Sequence, residues 1–408
     1  MSDGSRAEES TSSEATSNLD KPLLDPDVLA AHNRFGYRLF ADLLSDATNE
    51  SGNVILSPIS VALALAMTEN GASDETALAI AQAMQHAELM DGGLTQKALN
   101  ASNLALINLL NEAAAEGDIR LKVANALWHR NGLTLVPEFA DATEHFYRAE
   151  LSGLDFSAAE SVDRVNAWAD EATEGLIPSV VDELSDDLAV LIANAVYFKG
   201  DWQTPFDSRL TRPLPFRLTT GERPEVAMMY RSGSIEYFEE DFQAIRLPYG
   251  EAGRTAMYVF LPPENESIAT FAERLQDAAA DAFGNFRSLE GEVWLPRLDV
   301  SFKSSLNEPL KRLGMGIAFD PGAADFSRMV LGARPGDLFI GNVLHQAVLK
   351  LDETGTEAAA VTSIEIRLTS APVRRFAFRA DRPFLFVIRD DETGAILFTG
   401  AIVDPRGA

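Results

Sequence analysis

Five histidines, His32, His86, His129, His145 and His345, are the side chains through which this chain would bind zinc or shuttle protons near neutral pH. A zinc hydrolase would place two of them one helical turn apart with a glutamate beside the first, and no such His-Glu-x-x-His run is present. Glu144-His145 comes nearest but lacks the second ligand, so a structural or surface role is expected for His145. A serine nucleophile on a strained elbow would need Gly-x-Ser-x-Gly, which is absent. The run Gly314-Met315-Gly316-Ile317-Ala318-Phe319 opens like a dinucleotide fingerprint but has no third glycine. It follows a helical stretch from Leu306 to Leu313, which Gly314 is suited to cap. No Gly-Lys-Ser or Gly-Lys-Thr phosphate loop occurs, and the acidic run Asp352 to Glu357 lacks the oxygen spacing of a calcium loop. Cysteine is absent, which removes thiolate and disulfide chemistry and leaves the redox compartment open. Catalysis, a metal and a cofactor all lack support, and the chain is not expected to be an enzyme.

Residues 352–370 suggest a mechanical role instead. Asp352-Glu353-Thr354-Gly355-Thr356-Glu357-Ala358-Ala359-Ala360 opens a connection of about two dozen residues, a length that is usually functional. Taken as extended chain, Thr356, Ala358, Ala360 and Thr362 fall on one face, with Glu357, Ala359, Val361 and Ser363 on the other. The first face is small and uncharged. Such a segment can lie exposed in one state and enter a close-packed sheet in another without steric or charge conflict. Gly355 precedes it and permits backbone geometries closed to other residues, which suits a hinge. The alternative for the same residues is a short helix, because Glu-Ala-Ala-Ala has high helix propensity.

Helices and strands must hold this segment. Phe35, Leu39, Phe40, Leu43 and Leu44 share one helical face, closed by Ser51-Gly52-Asn53. Val54 to Leu56 reads as a short strand. Ser57-Pro58 then offers a capping hydroxyl and a proline at the first helical position, opening a helix that ends at Asn70-Gly71. Further helices are predicted around 74–85, 95–115 and 162–174. Strands are predicted over Arg120 to Trp128, Leu188 to Phe198, Thr255 to Leu261, Gly291 to Phe302 and Leu338 to Leu351. Two more, Phe384 to Ile388 and Ile396 to Val403, flank a hairpin turn at Asp390-Asp391-Glu392-Thr393-Gly394. Helices crowd the first half and strands the second, without βαβ alternation, so the fold class is α+β.

At 408 residues and 46% hydrophobic content the chain can bury a large core. Its longest apolar run, Leu188 to Phe198, is interrupted by Asn194 and falls short of the roughly 18 residues a membrane helix needs. A net charge of −28 opposes nucleic acid as a partner, because phosphate binding needs a basic face. Lysine is scarce among the basic residues. Such a surface suits a salt-rich cell, where screening removes self-repulsion, and equally an ordinary acidic protein. Residues 1–25 are an acidic, Ser/Thr-rich tail expected to be disordered, and residues 26–408 are expected to form one domain. The tail lacks a secretory signal, which points to the cytoplasm, with an extracellular location as the alternative.

The sequence from Asp352 to Ala360 resembles the proximal hinge of inhibitory serpins. Other blocks carry the same resemblance in the same order. They are Asn53 to Ser60, Val123-Ala124-Asn125-Ala126-Leu127, Asn166-Ala167-Trp168, and Asn194-Ala195-Val196-Tyr197-Phe198-Lys199-Gly200-Asp201-Trp202. Leu295-Pro296-Arg297, Ala324-Asp325-Phe326-Ser327 and Arg382-Pro383-Phe384-Leu385-Phe386 complete the series. The resemblance spans roughly residues 27–405 and looks like an acidic, prokaryotic-like member of that family.

The resemblance implies three β-sheets, about nine helices and an exposed reactive loop near 353–375. A serine protease would cut that loop, remain attached as an acyl-enzyme, and be distorted when the loop inserts into the main sheet. Family spacing from Glu353 places the cut at Thr369-Ser370. The small Thr369 suits an elastase-like or subtilisin-like protease, while Arg367 leaves a trypsin-like target in a shifted register. The hinge then comprises Glu353, Gly355, Thr356, Glu357, Ala358, Ala359 and Ala360. Ser57, Asn194 and His345 are expected to bond across the point where the central strands part, with Trp202 at the top of the same sheet. A monomer is expected. The competing reading is a non-inhibitory member acting as chaperone, carrier or storage protein, in which bulky or charged hinge residues are common.

Overall fold

The computed structural model describes residues 22–46, 52–116, 119–185, 188–356 and 376–407. Two hydrogen-bonded sheets organise them. Helix α1 (Pro26–Ser45) and helix α2 (Pro58–Glu69) flank the first strand, β1 (Val54–Leu56). Every residue of α2 is buried, as expected of a helix that is apolar on all sides. Two residues placed in the tail by the sequence, Leu24 and Asp25, contact the folded body, and residues 1–21 lie outside the described residues. Leu24 packs against the core, and the Asp25 amide donates to Ser102 Oγ at 3.0 Å.

After α3 (Asp74–Ala83), α4 (Ala87–Asp91) and α5 (Gln96–Glu116) the chain enters the sheet that carries the site. Its strands are β2 (Ile119–Arg130), β3 (Glu150–Leu154), β4 (Val190–Asp201), β10 (Leu298–Ser305), β11 (Val343–Leu351) and β12 (Gly355–Thr356). They lie in the order β10-β11-β12-β4-β2-β3. Helix α6 (Pro137–Tyr147) precedes β3, and α7 (Ala159–Ala172) lies over one face of the sheet, burying Val165 and Ala169 with Trp128 and Leu191. The opposite face packs on the main core. β4 is thus covered on both sides, which accounts for its nearly unbroken apolar sequence.

The second sheet has nine strands, in the order β1-β15-β14-β8-β7-β6-β9-β13 with β5 beside β6. They are β5 (Arg212–Pro215), β6 (Glu225–Glu239), β7 (Gln243–Pro248), β8 (Thr255–Leu261), β9 (Arg287–Pro296), β13 (Phe376–Arg379), β14 (Phe384–Asp390) and β15 (Ile396–Ile402), together with β1. Helices α8 (Ile268–Glu273) and α9 (Leu275–Phe283) follow β8, and α10 (Asn307–Leu310) follows β10. The described residues hold ten α-helices, close to the number expected. Two of the three expected sheets form a single sheet because β6 is long enough to serve both, pairing β5 through residues 225–228, β9 along residues 228–237 and β7 through residues 236–239.

One predicted strand divides. Gly291 to Phe302 is two strands, with β9 in the larger sheet and β10 in the smaller. Pro296, which has no amide to donate, ends the first, and Arg297 bonds Ala227 at 2.9 Å before β10 begins. That crossing places Arg297 at the upper end of the six-stranded sheet.

Candidate functional site

β4 and β11 are parallel neighbours that meet along only part of their length. Val343 to Gln346 pairs with Ile192 to Ala195. Above this the strands part, and β12 lies between them at the top, antiparallel to both. Thr356 stands opposite Leu351 on one side and Gly200 on the other, and Gly355 opposite Asp201. Between the lower contact and β12, residues 347–350 pair only with β10 and residues 196–199 only with β2, and no described residue pairs with either row on the side of the gap.

The turn into β12 is fixed by Asp352. Its Oδ1 accepts from the Thr354 amide at 2.8 Å, the Thr354 hydroxyl at 2.6 Å and the Gly355 amide at 3.2 Å. This is the self-bonding that makes aspartate favourable in turns. Gly355 is needed for close approach: a Cβ there would lie 2.1 Å from the Gly200 carbonyl oxygen and 2.7 Å from Asp201 Cα. Its backbone is not among those with positive φ, so proximity accounts for the glycine, whereas the sequence suggested unusual dihedrals.

Trp202 holds the turn from the neighbouring strand. Its amide donates to the Thr354 carbonyl at 2.7 Å and its indole Nε1 to the Asp352 carbonyl at 3.0 Å. The indole stacks on Tyr249 with centroids 4.5 Å apart, and the Tyr249 hydroxyl meets Thr356 Oγ1 at 2.8 Å in a fully buried contact. Burial raises the Tyr249 phenol well above its ordinary range, with the Thr356 bond acting the other way, so it stays neutral. Glu353 is anchored too. Arg297 Nε reaches both carboxylate oxygens at 3.0 and 2.9 Å, and the Thr211 hydroxyl donates to one of them. Burial would raise this carboxyl, but the bonds from Arg297 and Thr211 hold it below the usual carboxylate range.

Lower in the gap lie the three residues expected to bridge the strands. His345 and Asn194 are register partners at the point where β11 and β4 still touch. The Ser57 amide donates to His345 Nε2 at 3.4 Å. Asn194 turns away from His345 and donates to Asn125 Oδ1 at 2.7 Å and to the Ala124 carbonyl at 3.3 Å. The expected capping bond of Ser57 is not made. Ser57 Oγ, Asn194 Oδ1, His345 Nδ1 and Asn125 Nδ2 are instead buried without a hydrogen-bond partner among the described residues. Burial pushes the His345 imidazole down to about 4, against a smaller opposing effect of the Ile55 backbone, so it is neutral at pH 7.

Of the predicted hinge, Glu353, Gly355 and Thr356 are brought together at the sheet top. Glu357, Ala358, Ala359, Ala360, Thr369 and Ser370 lie outside the described residues. Tyr249, Arg297, Thr211 and Asn125 complete the site without having been singled out as site residues. Only the Leu295-Pro296-Arg297 and Val123-to-Leu127 blocks hinted at two of them. No cluster of three His, Cys, Asp or Glu suited to a metal exists among the described residues, and no described helix is long and apolar enough to cross a membrane.

Comparison with known proteins agrees with this geometry. A family model described as Serpin (serine protease inhibitor) matches residues 30–405. Serpin-Z10 of Arabidopsis thaliana is 32% identical, the alignment covering 92% of this chain and 97% of that protein. Leukocyte elastase inhibitor of Bos taurus is 35% identical, over 92% of this chain and 99% of its own length. Among solved structures, the native state of the thermophilic serpin tengpin superposes with a TM-score of 0.83 at 27% identity, covering 93% of this chain and 95% of that one. A family model matched over residues 30–405 and relatives above 30% identity over nearly the whole chain, with Gly355 and Thr356 seated between two parting strands, identify the protein as a member of the serpin family of protease inhibitors.

Proposed function

We propose that the protein inhibits a serine protease as a suicide substrate. The protease serine attacks the Thr369 carbonyl, the Ser370 amine leaves, and Thr369 stays joined to the enzyme as an ester. The freed strand then fills the gap between β4 and β11, an established case of strand addition in this family. The attached protease is pulled out of shape, its oxyanion hole fails, and water no longer releases the ester. The uncut protein is accordingly metastable, kept active by the barrier to insertion.

The parted strands with Gly355 and Thr356 already between them carry this reading. Continuing the register of β12 downward would set Thr362 opposite both Asn194 and His345, where buried polar atoms lack partners. Thr356 is buried, and the next residues sharing its face, Ala358, Ala360 and Thr362, are small enough to follow it. An elastase-like target is favoured by the small Thr369 and by the similarity to the bovine leukocyte elastase inhibitor.

The test is incubation with elastase, subtilisin, chymotrypsin and trypsin, followed by denaturing electrophoresis. A covalent complex that survives SDS is expected with at least one of them. If each protease cuts the loop and departs active, the inhibitor reading fails and a non-inhibitory role takes its place.

A further inference from the structure

Resting on the inhibitory reading above, we infer that Arg231 is a positioning residue for trapping, which anchors from behind a strap, residues 202–206, that holds the hinge at the mouth of the gap. Three successive carbonyls of the hinge turn accept from this strap. Asp352 accepts from the Trp202 indole at 3.0 Å, Glu353 from the Phe206 amide at 2.8 Å, and Thr354 from the Trp202 amide at 2.7 Å. The near end of the strap is held to the connection between β7 and β8. There the Gln203 amide donates to the Pro248 carbonyl at 2.9 Å and its side chain to the Glu251 carbonyl at 2.8 Å. Beyond Gln203 that support ends, since Thr204 and Pro205 are exposed and proline has no amide to donate.

Arg231 supplies the next anchor. It lies in β6 opposite Val293 of β9, which lies opposite Phe378 of β13, and both of those side chains are fully buried. Opposed residues share a face of a sheet, so Arg231 points inward, an unusual place for a cation. Its Nη1 donates to the Thr204 carbonyl, and its guanidinium lies over the Phe206 ring, 5.4 Å from the centroid. Among the described residues no carboxylate pairs with it, and the charge is met by a carbonyl and an aromatic face. Phe206 is buried and stands edge-on to Trp202, with centroids 6.3 Å apart. Contacts thus run from Arg231 through Phe206 and Trp202 to the hinge.

After the cut, entry of the strand competes with hydrolysis of the same ester. Arg231 faces the core, so the attack of the protease on the loop is not expected to depend on it. Entry is, because the new strand must follow a hinge whose three carbonyls are aimed by the strap. A strap loose at Thr204 and Phe206 delays entry and lets water release the protease more often.

The direct readout is backbone hydrogen exchange, because Trp202 and Phe206 donate their amides to the hinge. Arg231→Met keeps the stem and removes the charge. In it both amides are expected to exchange about tenfold faster, while the amides pairing β4 with β2 keep their rates. Arg231→Lys, still a cation able to donate, should recover most of the protection. Phe206→Leu should match Arg231→Met, and the double variant should add little to either, since the two side chains act as one contact. Against a protease that the wild type traps, Arg231→Met should raise about threefold the number of inhibitor molecules consumed per protease trapped, with the rate of loop attack unchanged. Unchanged exchange at Trp202 and Phe206 would overturn the assignment. Equal acceleration across β4 would also overturn it, by reducing Arg231 to a general support of the fold, as would slower loop attack with unchanged consumption. A wild-type protein that traps no protease, with exchange as expected, would instead sink the inhibitory reading and leave the anchoring of the hinge by Arg231 standing.

Discussion

The top and the middle of the gap between β4 and β11 are built to opposite standards. At the top, Asp352, Glu353, Trp202, Tyr249 and Thr356 are tied into one another by hydrogen bonds and by an ion pair to Arg297. A few residues lower, Ser57, Asn194, Asn125 and His345 bury polar atoms that no described residue satisfies. Such an atom costs about 1–3 kcal/mol, so the middle carries a penalty that the top does not. The contrast separates a satisfied end of the sheet, at Gly355 and Thr356, from an unsatisfied middle, which is where the proposed insertion would continue the strand.

The most severe way to break this contrast is at the top. Thr356→Arg would force a charge into a site that is 1% exposed and already occupied by Tyr249. Inhibition is expected to be lost almost completely, the variant becoming a plain substrate, as read from the number of inhibitor molecules consumed per protease trapped. Unchanged inhibition would refute the insertion route.

Acid should separate the two regions. His345 and His32 are buried neutral, at about 4 and about 3, both held down mainly by burial, His32 further by His86 nearby. The unfolded chain binds protons below 6.5 while these sites do not. Stability is therefore lost as pH falls from 6.5 towards 4, by up to about 1.4 kcal/mol per pH unit for each imidazole. Glu353 has the opposite timing: its carboxyl is held low, so its ion pair persists until pH falls below the ordinary carboxylate range. Melting curves between pH 7 and 5 are expected to shift downward while the environment of Trp202, read by fluorescence before melting, stays constant. A change in Trp202 first would reverse the assignment.

The smallest effect sharpens the comparison most. Thr362→Val conserves shape and removes only the hydroxyl expected to reach Asn194 and His345. The uncut protein should be unaffected, and the cleaved form should lose about 1–3 kcal/mol, measured by denaturant unfolding of each. Equal effects on both forms would mean that Thr362 does not reach the unsatisfied atoms.

The sequence made the hinge legible because its information is local: Asp352 to Thr356 contains its own turn, its own glycine and its own small face. The partners were not legible, since Tyr249 lies 107 residues from Thr356, Arg297 lies 56 from Glu353, and Asn125 lies 69 from Asn194. No spacing rule links such residues; only sheet topology does. Ser57-Pro58 correctly marked the start of α2, yet the serine amide serves His345 and its hydroxyl caps nothing. β6 was missed because Arg231-Ser232-Gly233-Ser234 reads as a loop inside what is a continuous strand. The run Gly291 to Phe302 was read as one strand because its apolar pattern continues through a change of sheet.

The loop is knotted down at two places that belong to different sheets. Thr356 is pinned between β4 and β11, while Phe376 is pinned to β9 and lies flat on Tyr237, ring centroids 3.9 Å apart. A rope fastened at both ends cannot be reeled in from one of them. As long as the backbone is whole, drawing the loop fully into the sheet means tearing β13 from its place, strand pairing and stacked ring together. A single cut between the fastenings removes that restraint at once. On the mechanism proposed above, the fold would act as a loaded trap whose trigger is a covalent bond, released by the protease the trap is set for.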